Sequence, residues 1–147
     1  MCKPGGINAF GMFQKVFLDG MSEVAVSRMH STFSPQAGNY ALKKLKKLAK
    51  HAPENALNKV YLIEAERLVL QGNEEKALTR FQKSIEYANE QGLFHEQALA
   101  LERCGMALIR LGSRERAIES FEGARKLYKR WGAFAKVDQI TKLVREL

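Results

Sequence analysis

The sequence predicts an all-α fold in which about seven helices stack as antiparallel pairs, an α-solenoid. Three observations predict it. Apolar residues recur at helical spacing along almost the whole chain. Only three prolines occur, and glycine gathers at the N-terminus and at segment ends, which favours long helices over turn-rich β structure. The chain is also self-similar at a spacing of 40 residues: Ala65, Gly72, Ala77, Phe81 and Ser84 fall on Gly105, Gly112, Ala117, Phe121 and Ala124. The segment after each unit matches too, with Gly92-Leu93-Phe94 falling on Gly132-Ala133-Phe134. A period of roughly 20–50 residues marks stacked repeats, which present surfaces for binding.

Each element has a local reason. Residues 1–7 are expected to be a flexible N-terminus. The first helix, about 8–29, places Phe10, Phe13, Phe17, Met21 and Val24 on one face. In the polar break that follows, Ser34 can cap the second helix and Pro35 can occupy its first position. That helix, about 37–50, carries Leu42, Leu45 and Ala49 inward, and His51-Ala52-Pro53 ends it. The third, about 54–71, faces inward through Tyr61, Ala65 and Leu68. Gly72 then supplies a left-handed stop, and Asn73 can cap a fourth helix reaching about 91 with Ala77, Phe81, Ser84 and Ala88 inside. The fifth and sixth repeat this arrangement. Ala98, Leu101, Gly105 and Leu108 face inward before Gly112, and Ser113 caps a helix bearing Ala117, Phe121, Ala124, Tyr128 and Trp131. A capping helix, about 133–146, uses Phe134, Val137, Ile140 and Val144. Residues 8–147 thus form one domain of helix pairs at about 8–51, 54–91 and 94–131 plus the cap.

Small residues at Ala65 and Gly105 let the first helix of each pair approach its partner, and Ala77 and Ala117 give the second a matching flat spot. Phe81 or Phe121 then fills the space between that pair and the next. One pair alone would leave an apolar face bare, so neighbours must stack.

This order of small, glycine, alanine, aromatic and small residues, met twice, resembles the tetratricopeptide repeat. The resemblance implies a right-handed superhelix whose concave surface is lined by the first helix of each pair. Departures are a period of 40 instead of about 34, Tyr61 or Leu101 in place of tryptophan, and Lys129 where proline is common. Longer helices or wider turns would absorb the added length. A narrower resemblance covers residues from about 13 to 147. Phe17-Leu18-Asp19-Gly20, Ala41-Leu42-Lys43-Lys44-Leu45, Ala52-Pro53-Glu54-Asn55, Leu62-Ile63-Glu64-Ala65-Glu66 and Arg130-Trp131-Gly132-Ala133-Phe134-Ala135-Lys136-Val137 look like the helical-repeat linker of multidomain AAA-ATPase/sensor histidine kinase signalling proteins. It implies a signalling-linked scaffold, or a connector within a larger protein, and lends the chain no kinase or ATPase activity.

Composition bounds the function class. With 147 residues and 46% hydrophobic content the chain can bury a real core. No apolar run approaches the roughly 20 residues needed to span a bilayer, and the start lacks the pattern of a secretory signal. Cys2 and Cys104 have no metal-ligand spacing, so a reducing, cytoplasmic setting is expected. The sequence holds no GxxxxGK[ST], HExxH, CxxC or GxSxG motif. His30, His51 and His95 are isolated, Glu64 and Glu66 point to different faces of one helix, and Asp19 and Glu23 read as a solvated edge. Cys104, beside Gly105, reads as a small buried hydrophobe. A non-enzymatic protein with no cofactor and no metal is expected.

The net charge of +8 is uneven. Lys43, Lys44, Lys46, Lys47, Lys50 and Lys59 face Glu54 alone over residues 41–60, and an acidic middle follows. Leu42 to Leu48 is a basic amphipathic helix, of a kind that meets acidic partners when its apolar face is free; here the leucines are expected inside the stack. The inner surface would add outward-leaning Asn58, Glu64, Arg67, Glu102, Arg103 and Arg110. Lys43, Lys44, Lys46, Lys47, Arg67, Arg103 and Arg110 are therefore the candidate binding residues, and the expected partners are protein or peptide segments, acidic or mixed in charge. The basic distribution falls short of the continuous stripe of a nucleic-acid binder.

Overall fold

The computed structural model describes residues 9–30 and 34–147, with side chains from residue 11 onward. Among them are seven α-helices and no strand: α1 (Ala9–Met29), α2 (Asn39–Ala49), α3 (Pro53–Leu70), α4 (Glu74–Glu90), α5 (Phe94–Arg110), α6 (Arg114–Trp131) and α7 (Phe134–Arg145). Each packs on the next in sequence, and α1 with α3 and α3 with α5 also touch. The expectations for residues 1–7 and for the side chain of Phe10 lie outside the described residues.

The helices from α3 onward owe their spacing to glycines at intervals of 20 residues. Gly72, Gly92, Gly112 and Gly132 take φ of 71°, 68°, 71° and 84°, a left-handed conformation that glycine enters without the Cβ penalty. At the first of these ends the Asn73 N–H reaches the Leu68 carbonyl at 2.9 Å and the Gly72 N–H the Val69 carbonyl at 3.0 Å. The same pair of bonds recurs at Gly92, Gly112 and Gly132. This is the paired closure that satisfies the last carbonyls of a helix. The capping expected of Asn73 and Ser113 is not found: neither side chain bonds the helix that follows. The residues at the same place in the other two turns, Leu93 and Ala133, have no side chain able to cap. The turns are short, so the added length of the repeat resides in the helices.

The start of α2 also differs from expectation. Residues 35–38 form a turn, with the Ala37 N–H on the Ser34 carbonyl at 3.0 Å and the Asn39 N–H on the Gln36 carbonyl at 2.9 Å. Gly38 sits at φ 75° and its N–H is held by Glu23 Oε2 of α1 at 2.9 Å. The helix therefore begins at Asn39, and neither Ser34 nor Pro35 opens it. A Cβ on Gly38 would lie 3.1 Å from both Val24 and Ile63, so space as well as φ demands glycine there. Pro53, by contrast, sits in the first turn of α3, where its missing N–H leaves nothing unpaired.

Packing follows the repeat positions closely. Ala65, Ala77, Phe81, Ser84, Ala117, Phe121 and Ala124 are fully buried, and Gly105 is buried with them. Phe121 lies on Gly105, whose missing Cβ would fall 2.6 Å from the ring. The aromatic wedge thus acts inside its own helix pair. Ser84 earns its small position with a bond as well, its hydroxyl donating to the Asn58 carbonyl at 2.8 Å. A further close approach joins α1 to α2: a Cβ on Gly20 would lie 2.4 Å from Cβ of Ala41. Phe13, Phe17 and Val24 of α1 and Leu42 and Leu45 of α2 are buried, as expected.

α3 is buried on more than one side because α1, α2, α4 and α5 surround it. Its core residues are Ala56, Val60, Leu62, Ile63, Ala65 and Val69, while the expected Tyr61 and Leu68 are only half-buried. A single inward stripe does not describe a helix with neighbours all round. Two aromatic expectations are corrected at the far end. Trp131 is 55% exposed and Phe134 is 64% exposed. Trp131 is the last residue of α6, and α7 packs closely on α6 and reaches α5 through Lys136 and Glu102, so only Ile140 of α7 is fully covered.

Candidate interaction surface

Four carboxylates of this chain, Glu64, Glu66, Glu96 and Glu102, are turned inward and join helices. Glu66, whose side chain is 1% exposed, accepts from Arg28 Nη1 of α1 at 2.8 Å and from Nε and Nη2 of Arg103 on α5. Lys59 of α3 and Glu96 of α5, both buried, pair at 3.1 Å, with the Lys59 ammonium 5.9 Å from the centre of the Phe17 ring. Glu102 of α5 accepts from Lys136 of α7 at 3.0 Å and from the Tyr128 hydroxyl of α6 at 2.8 Å. Charged pairs thus cross every step of the odd-numbered layer, α1 to α3 to α5 to α7. Burial, and then the nearby Arg103, pull the Arg28 guanidinium below its usual value. Burial, and then the Glu102 carboxylate, push the Tyr128 phenol far above its own.

These pairs decide which of the expected binding residues remain available. Arg103 is held by Glu66, and Arg67 donates to the Pro35 carbonyl at 2.8 Å. Lys46 pairs with Glu64 at 3.0 Å, and Arg110 stands 4.0 Å from Glu74. Glu64 also meets Arg80 at 3.2 Å, on the side of α3 away from Glu66, so the two carboxylates do face apart. Asn58, expected to lean outward, is 1% exposed. It belongs to the part of α3 enclosed by its neighbours, and its amide atoms have no hydrogen-bond partner among the described residues. Lys43 and Lys47 are exposed and make no ion pair with any described residue, while Lys44 donates to the Tyr40 hydroxyl at 3.4 Å. Of the seven, the three on the outer face of α2 are left.

Beside them runs a groove of about 900 Å³ between the C-terminal half of α1 and the start of α2. Gly20 against Ala41 and Val24 against Gly38 bring the two helices together on the inner side. Ser22 and Val26 on α1, His30 just past its end, and Tyr40 and Lys43 on α2 then form the walls of an outward-facing trough. Val26 is 53% and Tyr40 67% exposed. Sequence reasoning found the lysines but missed the groove, because the exposure of Val26 and Tyr40 depends on how α1 and α2 pack. A second exposed cluster closes the other end. His95 stacks on Trp131 with ring centres 3.7 Å apart, and the Arg130 guanidinium covers Phe94 at 4.8 Å.

Cys104 is a free, buried thiol whose burial pushes it above its ordinary value, the setting of an inert core cysteine. Among the described residues no cluster of histidine, cysteine, aspartate and glutamate is grouped to hold a metal ion, and no helix is long and apolar enough to cross a membrane. No protein-family model, no curated protein and no solved structure matches this chain.

Proposed function

We propose that this chain is a non-enzymatic protein-interaction scaffold of the tetratricopeptide-like type, a right-handed α-solenoid that binds protein segments within a cytoplasmic signalling assembly. Two kinds of support carry the solenoid part. The five repeat positions recur at 40 residues with small residues and phenylalanines buried at equivalent places, and each helix end from α3 to α6 closes with the same glycine turn.

The binding part rests on one observation above others. Glu66, Glu96 and Glu102 with their cations hold helices together, while α1 and α2 leave a groove and exposed lysines at the surface. Such a surface is built to recognise another chain. Affinity capture with the full chain at moderate salt, followed by mass spectrometry, tests the reading. Discrete, stoichiometric protein partners are the expected result. Recovery of nucleic acid alone, released steeply as salt rises, would overturn it.

A further inference from the structure

We infer that the groove between α1 and α2 receives an acidic amphipathic helix from a partner protein. The inference rests on the scaffold reading and deepens it by assigning the site and the chemistry of what fills it.

Shape comes first. Two helices packed side by side with a trough on their outer face offer the seat into which a third helix lays its apolar stripe. The α1 wall runs from Ser22 to His30, about 12 Å at the rise of an α-helix, enough for about two turns of an occupant. The apolar contacts on offer are Val26, Ala37 and the Tyr40 ring.

Charge then selects among occupants. Tyr40, Lys43 and Lys47 recur at helical spacing along one face of α2, with Lys44 alongside. His30 borders the α1 wall. The carboxylate in the lining, Glu23, holds the Gly38 N–H at 2.9 Å and keeps its charge opposite Lys43, so the positive excess comes from Lys44 and Lys47 beside the groove. An occupant with glutamate or aspartate flanking its apolar anchors meets unpaired ammonium groups there. A second copy of this chain would bring the same lysines and a net charge of +8, and like charges brought together oppose docking. A membrane surface would use the lysines, but Leu42 and Leu45 are buried and a concave trough cannot enter a flat bilayer.

The test is selection of a displayed library of helical peptides on the full chain at physiological salt. The enriched peptide, fluorescein-labelled, is then titrated by polarisation. Enrichment of sequences with Asp or Glu beside large apolar residues at helical spacing is expected. Val26→Glu, and Lys43→Glu with Lys47→Glu, should each weaken that peptide by about tenfold or more, and the salt dependence should flatten in the double variant. All three residues are exposed, so the variants should melt like the parent; were Val26→Glu to unfold, Val26→Ser serves in its place. Enrichment of basic or uncharged peptides, or affinity unmoved by both variants, would refute the inference. So would retention on phosphatidylserine vesicles abolished by Val26→Glu with no helix enriched, which assigns the surface to a membrane. A captured partner whose hydrogen-exchange footprint lies away from α1 and α2 overturns the groove alone. A chain that holds no protein by any route overturns the scaffold reading with it.

Discussion

Removing one partner of the buried Lys59–Glu96 pair should destabilise this protein far more than removing both. Lys59 is 1% and Glu96 8% exposed, and their charged atoms stand 3.1 Å apart between α3 and α5. At an effective dielectric of about 20, that separation is worth about 5 kcal/mol of attraction. Taking both charges out of water costs several kcal/mol for each ion, so the intact pair contributes little net stability. The asymmetry appears when one side is lost, because the survivor stays buried without a counter-charge. Glu96→Ala, or Lys59→Met with its alkyl stem kept over Phe17, should therefore cost about 3–5 kcal/mol each. For a chain of this size that lowers the melting midpoint by about 6–20 °C. The double variant Lys59→Met with Glu96→Leu fills the space with apolar atoms and should return to within about 1 kcal/mol of the parent. Urea unfolding followed by circular dichroism at the helix band gives all four corners of the cycle. Single variants costing under about 1 kcal/mol, or a double variant equal to the sum of the singles, would refute the reasoning.

Other perturbations separate causes that resemble each other on paper. Gly105→Ala places a methyl within 2.6 Å of the Phe121 ring and should cost about 1–3 kcal/mol in thermal melts, with partial recovery on adding Phe121→Leu. Gly112→Ala meets no neighbouring atom, only its φ of 71°, so its cost should be about 1 kcal/mol and Phe121→Leu should not relieve it. Glu66→Gln removes the charge shared by Arg28 and Arg103 and should cost about 2–3 kcal/mol in urea unfolding. Asp19→Asn, which breaks the exposed pair with Lys15, should leave the urea midpoint unchanged. Tyr128 and Cys104 both bind their protons more tightly when folded, raised above ordinary values of 10.0 and 9.0. Their contribution is intact below those values and is lost as pH rises through the higher, folded ones. Stability measured against pH should thus fall on the alkaline side, and Tyr128→Phe should remove part of the fall beyond pH 10.0.

What could be read in advance was whatever is local or repeated. Helical spacing placed all seven helices within about two residues of where they lie, and the expected inner residues of α4, Ala77, Phe81, Ser84 and Ala88, are each buried. The errors have a common origin in contacts between elements distant in sequence. Ser34 and Pro35 read as a helix start, but the Glu23 carboxylate from α1 captures the Gly38 N–H and moves that start to Asn39. Trp131 and Phe134 read as core, but whether an aromatic at a helix end is covered depends on which helix lies beyond it. Asn58 read as outward-leaning, and nothing marked Lys59 or Glu66 as core, since charged and amide groups are mostly exposed. Their burial required knowing that α1 and α5 flank α3 with Arg28, Glu96 and Arg103 in reach.

The same pairing explains why the surface has the charge it does. Glu64, Glu66, Glu96 and Glu102 all have side chains no more than 18% exposed, and each meets a cation from another helix. Carboxylates paired in this way reach one lysine of α2, Lys46, and leave the outer ones without a counter-charge from α3. Within residues 61–100, Glu64, Glu66 and Glu96 are turned inward while Glu75, Glu86 and Glu90 stay exposed on α4. Only Lys46 of the cluster gains a carboxylate, Glu64, leaving Lys43 and Lys47 to act at a distance of about one Debye length in physiological salt. An approaching acidic helix would feel those charges before any apolar contact forms, and would reach the groove faster than a neutral one. Charge reversal at Lys43 and Lys47 should accordingly slow association of the selected peptide more than it speeds dissociation, whereas Val26→Glu should act mainly on dissociation. Stopped-flow measurement of both rates distinguishes the two roles, and equal effects on both rates from both variants would mean that rim and floor do not divide the work.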